Sequence, residues 1–244
     1  MERLTESITV RVLDADAFGL LTPVALAGYL SEVAGRHAQA LDAGMDLLAS
    51  RGQAWVLARS RMEIAGEARA GDLLEVETWP SGASRLWALR DFRVRSGRGE
   101  VARAITAWLV IDLATRRPVR PDKVLDPRLH PEREHALPPP EEKLPPLEAA
   151  AWERRFSIRW LDIDRNRHAT NTAYLGWALE AVPEETWGGG RVTGLEVHYL
   201  AECTYGSKVL SRAAPGAPGE LRHAVVREED GKELARLSTR WAPR

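Results

Sequence analysis

The sequence predicts an α+β protein made of two copies of one unit, each an antiparallel sheet wrapped around a helix. Each copy has one stretch of helical periodicity, followed by several segments in which apolar and polar residues alternate. A proline-rich segment separates the copies, with eight of the 15 prolines between residues 121 and 146. Three sequence blocks of the first half align with blocks of the second half, at offsets of 148, 135 and 133 residues: 10–29 on 158–177, 62–71 on 197–206, and 103–108 on 236–241. Because these blocks occur in the same order in both halves, a tandem duplication explains them best.

Length and composition narrow the class of protein. With 244 residues and 44% hydrophobic content, the chain is long enough and apolar enough to bury a core. Its single cysteine excludes an internal disulfide framework and a cysteine-based zinc or iron–sulfur site. No apolar run is long enough to span a membrane, and the first ten residues do not resemble a signal peptide. We therefore expect a cytoplasmic protein with no membrane span, and the net charge of −1 gives no argument for nucleic-acid binding.

The first copy starts with a short strand at 8–13, which leads into an Asp-x-Asp loop. A helix follows, because Thr22 can cap it, Pro23 suits its first position, and apolar residues then recur at helical spacing. Four alternating segments bounded by Gly or Pro predict the strands of the sheet: 55–65, 72–80, 85–95 and 101–113.

A connector over 121–150 comes next, because prolines lack an amide donor and favour an extended chain. The predicted domains are therefore 1–120 and 151–244. We expect the connector to run over the surface.

The second copy repeats the order of the first. A strand at 156–161 precedes a helix that Thr170 or Asn171 can cap and that Pro183 ends. One helix wrapped by an antiparallel sheet, formed twice, is typical of a double hot-dog fold. The strands are predicted at 192–203, 207–213, 221–228 and 233–241.

The densest polar cluster lies in the loop before the second helix. The start of this loop resembles a calcium-binding EF-hand, but Arg167 and Ala173 stand where that loop needs Gly and Glu, which excludes calcium. Asp164, Asn166 and His168 are spaced by two residues and can share one face. They would lie just before a helix N-terminus, whose free amides can stabilise an oxyanion.

The internal repeat assigns this cluster to the second copy alone. Asn166 aligns with Phe18, and His168 aligns with Leu20. If the amide and the imidazole were needed to fold the loop, both copies would be expected to keep them. We therefore predict a functional site in the second copy, with the alternative that these side chains only satisfy backbone groups of the loop.

A second candidate group is Glu202-Cys203 at the end of a predicted strand. Alternation places Cys203 on the apolar face, so it is either a small core residue or the nucleophile of a Cys203–His168–Asn166 arrangement. Glu202 fits a carboxylate that activates water or orients His168. Its counterpart Glu67 lacks these partners and is predicted to be structural, as is Asp162, whose counterpart is Asp14.

These motifs together resemble the acyl-acyl carrier protein thioesterases of bacteria and plant plastids. The resemblance covers nearly all of the chain outside the connector and extends to Thr78-Trp-Pro-Ser-Gly82, Arg90-Asp-Phe92 and residues 108–120. It implies hydrolysis of long- or medium-chain fatty acyl thioesters in fatty acid biosynthesis, without a metal or organic cofactor. It also implies a monomer of tandem hot-dog units or a homodimer. The implied catalytic set is Asp164, Asn166, His168 and Glu202, with Cys203 in one version. In this set Asp164 either orients His168 or attacks the thioester directly. The usual His-Val-Asn-Asn continuation is here His168-Ala-Thr-Asn171, a change that leaves these side chains intact.

The implied substrate adds two expectations about the first copy. An acyl chain needs an apolar tunnel, for which we predict Leu26, Leu30, Val33, Trp55 and Leu57, although an ordinary core would use the same residues. From Arg85 to Arg120 there are nine arginines against three acidic residues. That stretch is either a solvated strand face or a docking surface for an acidic carrier protein.

Three other functions fit parts of this pattern. An acyl-CoA thioesterase of the same fold would also bind phosphates with basic residues. A hot-dog dehydratase acts on a 3-hydroxyacyl thioester, but the Asn-x-His and Glu set resembles the thioesterases more. A non-catalytic acyl-binding protein would have no need of Asn166, His168 and Glu202.

Overall fold

The computed structural model describes residues 2–84, 86–129, 131–140 and 142–244. The chain forms two compact units, Met1–Pro140 and Glu141–Arg244. Residues 121–140, which the sequence assigned to the connector, therefore belong to the first unit. Each unit is an antiparallel sheet with a main helix, as the α+β double hot-dog prediction requires.

The first unit consists of β1 (Leu4–Thr9), α1 (Pro23–Ala40), α2 (Met45–Ser50), β2 (Gln53–Ile64), β3 (Leu73–Ser84), β4 (Trp87–Ser96), β5 (Gly99–Asp112), β6 (Arg117–Val119) and α3 (Pro121–Val124). Its sheet has the order β1-β3-β4-β5-β2, and the short β6 pairs with β5. All of these pairings are antiparallel.

The start of α1 confirms the predicted cap. The amide of Ala25 donates to Oγ1 of Thr22 at 3.1 Å, and Pro23 occupies the first turn. One face of α1 is buried along Leu26, Leu30 and Val33, and this helix packs on β3. The helical spacing of apolar residues in the sequence is therefore the buried face of the helix.

Residues 131–140 pack on the sheet of the first unit. The indole Nε1 of Trp79 donates to the carbonyl of Glu134 at 3.0 Å, and the amide of Ala136 donates to Oδ1 of Asp91 at 2.7 Å. Leu137 is buried. This part of the predicted connector therefore packs on the first unit, because a proline-rich chain can still bury its few apolar side chains while strand side chains satisfy its backbone. The domain bounds 1–120 and 151–244 stay predictions.

The second unit consists of β7 (Trp152–Ser157), α4 (Asn171–Glu180), α5 (Glu184–Gly189), β8 (Gly190–Tyr199), β9 (Lys208–Pro215), β10 (Glu220–Arg227) and β11 (Glu233–Pro243). Its sheet has the order β8-β11-β10-β9-β7, again with antiparallel pairing. Of the two candidate caps of the main helix α4, Thr170 is the one used, and its hydroxyl accepts from the amide of Ala173 at 3.3 Å.

The first strand of each copy ends earlier than predicted. The strands occupy Leu4–Thr9 and Trp152–Ser157, and 3₁₀ turns follow at Val12–Asp14 and Trp160–Asp162. The apolar residues that suggested a continued strand are exposed in both turns. Each turn is closed by its aspartate, whose carboxylate pairs with the arginine three positions earlier, at 2.6 Å and 2.7 Å.

Strand β8 also stops short of its predicted end at 203. The amides of Leu200 and Ala201 both donate to the carbonyl of Leu234, at 2.8 and 3.1 Å, so the regular ladder breaks there. Glu202 and Cys203 lie in the irregular segment after this break. In the described part of the chain no helix is long and apolar enough to cross a membrane.

Candidate active site

The loop before α4 is closed by Asp164. Its amide donates to the carbonyl of His168 at 2.8 Å, while its Oδ1 accepts from the amides of Asn166 at 2.8 Å and His168 at 3.2 Å. A carboxylate that accepts several amides fixes a tight loop, because these bonds are charge-assisted. Among the described residues, the side chain of Asn166 has one hydrogen bond, from Nδ2 to Oδ2 of Asp164 at 3.4 Å.

The first copy forms the same loop with apolar side chains. Oδ1 of Asp16 accepts from the amides of Phe18 and Leu20, both at 2.9 Å, and the Asp16 amide donates to the Leu20 carbonyl at 2.7 Å. The loop backbone therefore needs the aspartate but neither the amide of Asn166 nor the imidazole of His168. This similarity favours a role for those two side chains outside the loop backbone, and the functional site in the second copy stays a prediction.

His168 and Glu202 meet across the site. Nδ1 of His168 lies 3.1 Å from Oε2 of Glu202, and the two side chains are 35% and 49% exposed. The backbone joins the two segments, since the amide of Ala169 donates to the carbonyl of Cys203 at 2.9 Å. A half-exposed imidazole–carboxylate pair can bind water and move a proton.

Glu67, the counterpart of Glu202, has a different partner. Its Oε2 accepts from Nη2 of Arg69 at 2.9 Å, and both side chains are about half exposed. Position 20, where an imidazole would be needed, is a leucine. The first copy therefore has the carboxylate without the proton-transfer partner.

Cys203 is buried, and its thiol hydrogen-bonds with the hydroxyl of Tyr174 at 3.2 Å. Burial raises the pKa of this thiol above its usual value. A buried thiol that stays protonated is a poor nucleophile, so its burial favours the small core residue over the nucleophile of a Cys203–His168–Asn166 arrangement.

Tyr174 is a residue whose role sequence reasoning missed. It lies in α4, and its hydroxyl also donates to the carbonyl of Ala201 at 3.2 Å. The hydroxyl thus binds the residues on both sides of Glu202 and ties that segment to α4. The internal repeat could have indicated this role, because the residue of the first copy that aligns with Tyr174 is Leu26, which has no hydroxyl.

Asp162 stabilises the turn that precedes the site. Burial opposes ionisation, but hydrogen bonds from the side chain and amide of Arg159 lower the pKa of Asp162. The Arg11 side chain lowers the pKa of Asp14 in the same way. The matching pairs agree with the structural role predicted for Asp162. The described residues contain no cluster of three or more His, Cys, Asp or Glu side chains that could hold a metal ion.

The residues predicted to line an acyl tunnel lie in the first unit. Leu26, Leu30, Val33 and Leu57 are buried. Trp55 is partly buried, donates from Nε1 to the carbonyl of Ala43 at 2.9 Å, and packs on a cluster beside α2. These positions fit a core and leave the tunnel a prediction.

The arginine-rich stretch is less positive than its sequence suggests. Arg90 is 8% exposed and donates to Oγ1 of Thr78 at 3.2 Å, so it does not belong to a surface. Arg85 lies outside the described residues. Four other arginines are paired with acidic side chains: Arg93, Arg98, Arg103 and Arg120.

Known proteins match the chain along its length. The family models for the N-terminal and C-terminal domains of acyl-ACP thioesterases match residues 2–127 and 147–243. A chloroplastic oleoyl-acyl carrier protein thioesterase of Arabidopsis thaliana is 30% identical over 97% of this chain and 75% of its own length. A palmitoyl-acyl carrier protein thioesterase of Cuphea hookeriana is also 30% identical, over 78% of this chain, which spans about half of that relative.

Solved structures share the fold. The 12:0-ACP thioesterase of Umbellularia californica superposes with a TM-score of 0.89 at 24% identity, covering 99% of this chain and 98% of that one. An acyl-ACP thioesterase of Bacteroides thetaiotaomicron gives 0.85 at 23% identity, covering 98% of each chain. These likenesses confirm the double hot-dog fold. The two family models and the Arabidopsis relative show that this chain belongs to the acyl-ACP thioesterase family.

Proposed function

We propose that the protein hydrolyses long- or medium-chain fatty acyl thioesters of acyl carrier protein, releasing the fatty acid and the carrier during fatty acid biosynthesis. The observation that carries this proposal is the 3.1 Å pair between His168 and Glu202. At the equivalent positions the first copy has a leucine and a glutamate that is paired with an arginine. Membership of the thioesterase family supports the same activity.

The proposed reaction is a direct attack by water. Glu202, paired with His168, accepts a proton as the water oxygen bonds to the thioester carbon. The Asn166 amide and a free backbone amide at the start of α4 stabilise the oxyanion. The C–S bond then breaks, and the departing sulfur takes the proton back from the Glu202–His168 pair.

Asp164 and Cys203 have supporting roles in this proposal. Oδ1 of Asp164 accepts two backbone amides, which supports a role in positioning the loop, and we assign Asp164 that role and not direct attack. It also contacts the His168 amide and not the imidazole, so Glu202, and not Asp164, orients the ring. Cys203 packs beneath the site with Tyr174.

The remaining substrate assignments stay predictions. The acyl chain is proposed to occupy the first unit along Leu26, Leu30, Val33, Trp55 and Leu57. The carrier-docking prediction for Arg85–Arg120 narrows to the exposed arginines without an acidic partner in the described residues, Arg95 and Arg117. The cytoplasmic location and the choice between monomer and homodimer also stay predictions.

The test is release of free thiol from an acyl carrier protein loaded with acyl chains of increasing length. We expect turnover of the loaded carrier with a higher kcat/KM than of the matching acyl-CoA. A preference for acyl-CoA would favour the acyl-CoA thioesterase alternative. Binding of the loaded carrier without thiol release would support a non-catalytic acyl-binding protein.

A further inference from the structure

We propose that Arg167, assisted by the charge of Arg165, binds the phosphate of the phosphopantetheine arm that carries the acyl thioester. This inference rests on the proposed function, because it assigns a phosphate subsite to the same substrate. The phosphate is shared by coenzyme A and by acyl carrier protein. The subsite therefore recognises the arm and not one of these two carriers.

The two copies differ in charge at this loop. The first copy reads Ala17-Phe-Gly-Leu20, and the second reads Arg165-Asn-Arg-His168. Both loops have the same aspartate-bonded backbone. The two arginines are thus additions that folding of the loop does not require, and they occur only in the copy that has the imidazole.

The backbone conformation at position 167 supports a function for the arginine found there. Arg167 has a φ of 64°, in the left-handed region, and its counterpart Gly19 has a φ of 77°. Glycine adopts this conformation without steric cost, whereas a side chain with a Cβ is disfavoured there. The second copy therefore keeps an arginine at a position where glycine would favour folding, which indicates that the guanidinium has a use.

The surroundings of Arg167 leave its charge available. The side chain is exposed, and no acidic partner is found for it in the described ranges of the chain. The adjacent imidazole is directed at Glu202 instead. A guanidinium provides a planar set of donors that matches phosphate oxygens. The exposed Arg167 side chain is long enough to extend from the loop, away from the reacting group, toward the distal end of the arm.

The experiment compares acyl-pantetheine with acyl-4′-phosphopantetheine of the same chain length, measured with the full-length protein. We expect the wild type to favour the phosphorylated substrate by about fivefold in kcat/KM, as is typical of one exposed charge pair. The variant Arg167→Gly, which restores the residue of the first copy, should reduce this ratio to about one. Arg167→Lys should keep part of it, and added salt should lower it in the wild type.

The matched control is Arg154→Ala, which removes an exposed arginine from β7 outside the loop and should keep the wild-type ratio. An unchanged ratio in Arg167→Gly would overturn the proposal. Equal losses on both substrates would also overturn it, by assigning Arg167 to loop structure. Turnover of the loaded acyl carrier protein is measured alongside. A wild type that turns over the carrier but does not favour the phosphorylated small substrate refutes only the phosphate subsite, whereas a wild type that releases no thiol from the carrier refutes the proposed function.

Discussion

The two copies of the hot-dog unit share a loop backbone and differ in the side chains that it presents. Asp16 and Asp164 each bind the amides two and four residues ahead through Oδ1. Only the second loop adds an amide and an imidazole, at Asn166 and His168. The difference separates the residues that build the scaffold from those that can carry out chemistry on it.

The similarity of the copies extends into their cores. The indoles of Trp108 and Trp241 each donate to the threonine two positions earlier, at 2.9 Å in both copies. Each copy also buries a basic side chain in its sheet, Arg90 in β4 and His223 in β10. Burial lowers the pKa of Arg90 to about 10 and that of His223 to about 4. Duplicated contacts of this kind belong to the fold, since they occur with and without the His–Glu pair.

The largest effect is expected when the second copy is given a residue of the first. We predict that His168→Leu lowers kcat by a factor of about 10²–10⁴, because the Glu202 carboxylate loses its proton-transfer partner. Stability should change little, since Leu20 occupies the same position in an intact loop. Steady-state kinetics and thermal unfolding measure the two quantities, and a kcat within a few-fold of wild type would contradict the assignment of His168.

A smaller effect is expected from Tyr174, which positions the segment around Glu202. Tyr174→Phe should reduce kcat about tenfold, because losing a hydrogen bond worth about 1 kcal/mol loosens the Glu202 segment. The matched control is Tyr29→Phe, which removes a hydroxyl bonded to Asp14 in the first copy. The control should lose stability in denaturant unfolding and keep its kcat. Equal kcat values in both variants would show that Tyr174 only stabilises the fold.

The smallest effect is expected from Cys203. Cys203→Ala should keep kcat within about twofold and lower the free energy of unfolding by about 1 kcal/mol, as expected for a small buried side chain. Its counterpart is the buried Ala68, so alanine fits this position in the first copy. A loss of turnover of 100-fold or more would instead restore the thiol as a catalytic group.

Much of the architecture could be predicted from local patterns. The Thr22 cap, the buried face of α1 and the chain order of strand, helix and further strands followed from periodicity and capping chemistry. The ends of the first strands could not be predicted, because an apolar pair such as Trp160-Leu161 reads as strand until the Arg159–Asp162 contact is known. The packing of residues 131–140 could not be predicted either, because it depends on strand side chains that are distant in the sequence.

The sequence predicted which residues form the candidate site but not all of the contacts that they make. The repeat singled out Asn166 and His168, and the carboxylate of Glu202 is the partner of the imidazole. The faces of Glu202 and Cys203 were inferred from strand alternation, yet β8 ends at Tyr199. Their actual environments come from the irregular segment and from Tyr174, contacts that no local pattern specifies.

The central claim is that the second copy alone carries out hydrolysis, and paired glutamate variants test it most directly. Glu202→Gln and Glu67→Gln each remove one carboxylate from equivalent positions of the two copies. Turnover of acyl carrier protein thioester by each purified variant is the measurement. We predict a fall in kcat by a factor of about 10²–10⁴ for Glu202→Gln and a wild-type kcat for Glu67→Gln. Equal activity of the two variants would contradict the claim.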